Sequence, residues 1–175
     1  MSGTETEFID LFIDCSCDTL KQHAERIDDC LGRLTTEQLW ARSGKSDNSI
    51  GNLVLHLCGN VTQWICSGVG GQADHRDRDA EFAARGGAAP EELARRLNGV
   101  VSDAIAVIRG QSGRLTEVIR PQGYTVTVME AIYHVVEHFS GHAGQIIFAT
   151  KLMVDQDLGF YKHLSKGAAQ PETAP

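Results

Sequence analysis

His134, His138 and His142 stand at four-residue steps in one largely apolar stretch of the chain. On a helix, side chains four apart fall about 40° apart around the axis and one turn along it, so neighbouring members of this series share a face. Two imidazoles placed that way can share a metal ion, and a third donor must then project from a different helix. His56 is the obvious candidate, because it lies in a stretch with no charged residue from Asn48 through Ala73. Such a stretch in an acidic protein belongs in a bundle interior or a subunit interface.

Angular positions choose among the other three. With His138 at 0°, the apolar residues Val128, Ala131, Val135, Phe139 and Ile146 fall between about 20° and 100°, His142 near 40° and His134 near -40°. His142 therefore sits inside the core-facing stripe and His138 on its border. His134 lies further out and, like His23, reads as a hydrogen-bonded core residue or a support for the ligands. With His56 at 0°, Ser49, Asn52, Asn60, Gln63 and Ser67 lie within about 40°, forming a neutral polar ridge of the kind that borders a solvent-filled cleft. Asn60 and Gln63 are thus candidates to touch a substrate or support the ligands, or else they satisfy helix ends or a dimer partner. Cys58, about 200° from His56, should not join the site. His75 and His163 are expected at the surface.

The elements that must position these side chains follow from periodicity. Apolar residues at three- and four-residue steps predict a long amphipathic helix between Glu5 and Leu34. Thr35 with Gln38 reads as a capping box opening a short turn through Trp40, followed by a polar loop over 42–48. A second long helix runs from Ser49 to about Val69, capped by Asn48 or Ser49. Gln72 to Ala89 reads as a long surface loop whose mixed charges at 74–79 are solvated. Pro90 opens a third helix that ends at Gly110. Residues 115–126 suit a small hairpin or an extended crossing loop, and a fourth helix runs from near Thr127 to about Val154. Four long helical patterns with almost no strand signal predict an all-α, antiparallel four-helix bundle, one domain over 1–165 with a disordered tail over 166–175.

Composition narrows the function classes. The chain has 175 residues, 16 basic and 23 acidic side chains and a formal charge of -7. That balance argues against a nucleic-acid or anionic-membrane partner, both of which demand clustered Lys and Arg. The first residues carry acids where a signal peptide carries bases, and no apolar run spans a membrane, so a soluble cytoplasmic protein is expected. Five cysteines without a CxxC pair read as reduced packing residues.

The segment Gly51-Asn52-Leu53-Val54-Leu55-His56-Leu57-Cys58-Gly59-Asn60, with Gln63-Trp64-Ile65 and with His138-Phe139-Ser140-Gly141-His142-Ala143-Gly144-Gln145-Ile146, resembles the DinB-like superfamily, which includes the YfiT-like metal-dependent enzymes. The resemblance spans most of residues 5 to 155. Its pattern, one histidine on the second helix and HxxxHxGQ on the fourth, matches His56, His138, His142, Gly144 and Gln145. The resemblance implies a bundle with a three-histidine divalent metal site (zinc, nickel, iron or manganese), often in a homodimer, and relatives that use low-molecular-weight thiols such as bacillithiol or mycothiol. The loop Arg76-Asp77-Arg78-Asp79-Ala80-Glu81-Phe82 is also similar to one subgroup.

Three neutral imidazoles would leave the charge of a dication uncancelled, so a bound thiol or water would be strongly acidified. Gln145 is a candidate to support a ligand or orient substrate, and Arg76 and Arg78 could bind a substrate carboxylate if their loop folds over the mouth. The reading is a metal-dependent enzyme, a thiol S-transferase or a hydrolase, acting on a small molecule. A non-catalytic, metal-stabilised dimeric binding or stress-response module competes with it, because no dedicated acid or base stands beside the ligands in the sequence.

Overall fold

The computed structural model describes residues 3–44 and 46–164, with nothing stated of the His163 side chain. The expected tail over 166–175 lies outside the described residues. The first stripe forms α1 (Gly3–Leu31), which buries Ile13, Leu20, Ala24, Ile27 and Leu31. It ends three residues before the expected Leu34. The chain turns at Gly32 and Arg33, and Leu34 still reaches the core. Thr35 opens α2 (Thr36–Trp40) with both halves of its capping box: its hydroxyl accepts from the Gln38 N–H, and the Gln38 side chain accepts from the Thr35 N–H.

Ser49, with Asn52, caps α3 (Ile50–Val61) in the same way. From Thr62 to Val69 the helix widens into π turns, where the periodicity predicts a uniform helix. Glycines face close neighbours in this segment. A Cβ at Gly68 would lie 2.9 Å from Pro121, and one at Gly70 would press on Val107 and the Cys66 carbonyl.

The expected surface loop over Gln72–Ala89 is a correction. It contains a short helix, α4 (Arg78–Ala83), capped by Asp77, and this segment lies on α3. The polar ridge is its seat: Asn52 donates to the Glu81 and Ala84 carbonyls, and Gln63 donates to Asp74. The ridge therefore binds protein along much of its length, and a cleft remains beside His56 and Asn60. Pro90 begins α5 (Pro90–Arg109). Of the two alternatives for 115–126, the hairpin forms, pairing β1 (Val118–Ile119) antiparallel with β2 (Val126–Thr127). Thr127 and Glu130 make a third capping box at the start of α6 (Val128–Val154).

The four long helices close a ring, with α1 against α5 and α6, and α3 against α5 and α6. Leu20, Ile27, Leu57, Leu97, Ile108, Ile132 and Phe139 fill its centre, each fully buried. At about 1.5–3 kcal/mol per buried side chain of this size, the burial fixes α3 against α6, and this places His56 opposite His138 and His142. No described helix is long and apolar enough to cross a membrane.

Candidate metal centre

His56 on α3 and His138 and His142 on α6 meet, each offering a ring nitrogen within 4.8 Å of the others. His56 Nε2 lies 3.1 Å from His138 Nε2. Ligands of one ion held at about 2.0–2.1 Å stand roughly 3.0–3.4 Å apart, so this pair already has the spacing of two donors to a shared cation.

His56 and His142 each use Nδ1 for contacts outside the cluster. His56 Nδ1 lies 3.0 Å from Glu81 Oε2 and His142 Nδ1 lies 2.9 Å from Gln145 Oε1. The donor Arg76 Nη2 also lies 3.0 Å from His56 Nδ1; with the proton of each ring on Nδ1, facing its oxygen acceptor, each Nε2 turns a lone pair toward the cluster. His138 Nδ1 is buried without a hydrogen-bond partner. Burial, followed by the positive charge it would share with His142, His56, His134 and Arg76, pushes the His138 imidazole down to about 3. Burial also lowers His142, against an opposing hydrogen bond to Gln145. Lone pairs that converge on neutral rings repel unless a cation lies between them, and in this respect the donor set fits a divalent metal.

Glu81 stands beside the candidate ligands and is not marked by the sequence. The sequence reading finds no acid beside the ligands, yet this carboxylate sits against His56 and is itself gripped by Arg76. Arg76 Nε donates to Oε1 at 2.8 Å and Nη2 to Oε2 at 3.0 Å, with the two side chains 4 % and 10 % exposed. Burial alone would raise the Glu81 carboxyl, but hydrogen bonds from His56 and Arg76 outweigh it and hold the group below its ordinary range. The clamp has room because residue 59 is glycine. A Cβ there would collide with Glu81 Oε1 and crowd Arg76 Nε. An acid spaced to follow an Asp77 cap, facing an uncharged helix, was the available signal.

Of the remaining candidates, Gln145 reaches His142, and Asn60 is 4 % exposed with its Oδ1 unpartnered at the edge of the cleft. Gln63 accepts from Arg76 and donates to Asp74, away from the cluster. The carboxylate that Arg76 holds belongs to the chain's own Glu81. Arg78 stacks its guanidinium on Phe82, 4.9 Å from the ring centre, and lines the cleft. His134 packs on Trp64 at 4.1 Å and stands 5.6 Å from His138. His75 is exposed, and Cys58 is buried with its thiol pushed up to about 12 by desolvation.

Residues 7–166 match the family described as "Protein of unknown function (DUF1572)". The chain belongs to the DUF1572 family. The fold of this DUF1572 chain is of the DinB-like type, and two solved structures share it. A DinB-like protein from Bacillus cereus ATCC 10987 superposes with a TM-score of 0.61 at 16% identity, covering 75% of this chain and 85% of that one. A conserved protein from Enterococcus faecalis superposes with a TM-score of 0.59, also at 16% identity, covering 82% of this chain and 97% of the other. Comparison with curated proteins finds no match.

Proposed function

We propose that this DUF1572 protein is a metal-dependent enzyme in which His56, His138 and His142 hold one divalent ion, zinc, nickel, iron or manganese, and in which a low-molecular-weight thiol or water is activated for transfer to a small electrophile. The observation that carries the reading is the convergence of three imidazole nitrogens, two of them oriented by Glu81 and Gln145. An ion bound there would lower the pKa of a coordinated thiol or water and so supply a nucleophile near neutral pH. The chain does the rest. Glu81 and Gln145 fix the rings of His56 and His142, so that neither Nε2 turns away. His134 stands in the cleft wall 5.6 Å from His138, its imidazole lowered by burial against the pull of Glu137.

One observation favours the second reading, a metal-stabilised binding module without turnover. Both oxygens of Glu81 are engaged by Arg76 and His56, so this carboxylate is not a free base. A panel of thiols offered to the metal-loaded protein with a generic electrophile separates the readings. We expect thiol-dependent turnover that is lost in His142→Ala. No turnover with any thiol indicates the binding module, and turnover without added thiol a hydrolase.

The reading includes pairing with a second copy of the chain. Met129, Tyr133, Phe148 and Leu152 leave α6 outward, each 45 % to 69 % exposed, and a Cβ at Gly141 or Gly144 would meet nothing within 4 Å. A row of large apolar side chains and open glycines on one helix suits close contact with another surface.

A further inference from the structure

The histidine cluster opens into a cleft of about 360 Å³ lined by Asn60, Arg76, Arg78 and His134 as well as by His56 and His138. Gln122, Tyr124 and His134 line both this cleft and a second hollow of about 360 Å³ that adds Trp64, Val126 and Glu130. The two hollows adjoin at these three residues, and we read them as one groove that runs from the cluster to the exposed ring of Tyr124.

Several features that the bundle does not require converge on this groove. Trp64 comes from the π-helical segment, and wide turns of this kind recur at functional sites. Its indole lies 4.1 Å from His134 and is stacked with Tyr124 at 5.9 Å and 30°. Gln122 holds a left-handed backbone (φ 52°, ψ 25°) that side chains other than glycine rarely adopt, and its Oε1 accepts from Trp64 Nε1 at 3.2 Å. Tyr124 stands on the rim, 61 % exposed. The Asn60 Oδ1 is buried and without a partner, so it calls for a donor from a bound molecule or its water. At the other end, Arg78 presents a guanidinium with no carboxylate partner among the described residues.

We propose that this groove seats the substrate and that the substrate is a small aromatic carboxylate, its acid group at the histidine cluster and Arg78 and its flat ring against the exposed Tyr124 and the His134 edge, with the buried Trp64 (5 % exposed) backing both. The assignment rests on the metal-site reading, because the bound ion together with Arg78 draws the acid group to that end. The planar walls select the other end, since a flat ring lies face-on or edge-on against aromatic rings in a way that a puckered ring of similar size does not.

Calorimetric titration of the metal-loaded full chain with 3-phenylpropionate, 3-cyclohexylpropionate, propionate and 3-phenylpropan-1-ol tests it. We expect 3-phenylpropionate to bind at least about tenfold more tightly than each of the other three. Tyr124→Ala should weaken 3-phenylpropionate to the level of propionate, while Tyr124→Phe, which keeps the ring, retains the preference. Arg78→Gln should weaken the acids and not the alcohol. Equal binding of 3-phenylpropionate and propionate, or a ring preference that survives in Tyr124→Ala, overturns the proposal. Metal content measured on the same samples separates the two levels. Bound metal without ring preference removes the groove and leaves the metal site, whereas a Tyr124-dependent preference in metal-free protein keeps the groove and removes the metal.

Discussion

An imidazole that donates one N–H to a carboxylate presents its other nitrogen as a fixed, more basic lone pair, and the contact between Glu81 and His56 has this form. Replacing Glu81 with Gln keeps the shape but removes the charge from both Nδ1 and Arg76. We expect metal affinity measured by chelator competition to fall about 10–100-fold. Stability in urea should fall as well, by about 3–5 kcal/mol, because the buried Arg76 guanidinium loses its counter-charge. The histidines were legible in the sequence because helix geometry converts spacing into angle, and His56, His138 and His142 fell on facing stripes. Glu81 was not, and Arg76 was legible as a carboxylate binder but not as the clamp on Glu81, since a run such as Asp74-His75-Arg76-Asp77-Arg78-Asp79 has the composition of a solvated loop. Their burial depends on a missing side chain at Gly59, on a different helix.

That dependence belongs to the scale of elements, where α4 approaches α3 more closely than any side chain at residue 59 would allow. Gly59→Ala should push the clamp off the helix, lower stability by about 1–3 kcal/mol and weaken metal binding together with it. Gly99→Ala on α5, where a Cβ meets nothing within 4 Å, should instead raise stability by about 0.5–1 kcal/mol. Thermal melts of the two variants check the opposite signs. The outward row on α6 carries a separate expectation: Phe148→Glu should convert a dimer into monomers in sedimentation equilibrium, and a monomeric wild-type chain would contradict the pairing. Long helices and their caps were readable from 3.6-residue periodicity, with Thr35, Ser49, Pro90 and Thr127 at or near the starts. The π turns were not, because an eight-residue stretch does not distinguish their period from that of an α-helix. Nor was α4, whose six residues are too few to show a stripe.

At the scale of the whole molecule, the formal charge is -7 while the stretch from Asn48 through Ala73, which includes α3, carries no charged residue, so a cation held between α3 and α6 would dominate the local field. One dication with neutral ligands would bring the total to about -5 and make the cleft the place where an anion is attracted. An ion that binds the folded bundle and not the unfolded chain also adds to stability by mass action, about 2.7 kcal/mol at a free concentration one hundred times its dissociation constant. The most direct test is the metal content, by mass spectrometry, of untagged protein incubated with zinc, nickel, iron or manganese and then desalted, compared with His56→Ala and His142→Ala. The expected result is about one divalent ion per wild-type chain and almost none in either variant; a wild-type chain that retains no ion, or variants that retain as much as the wild type, would contradict it.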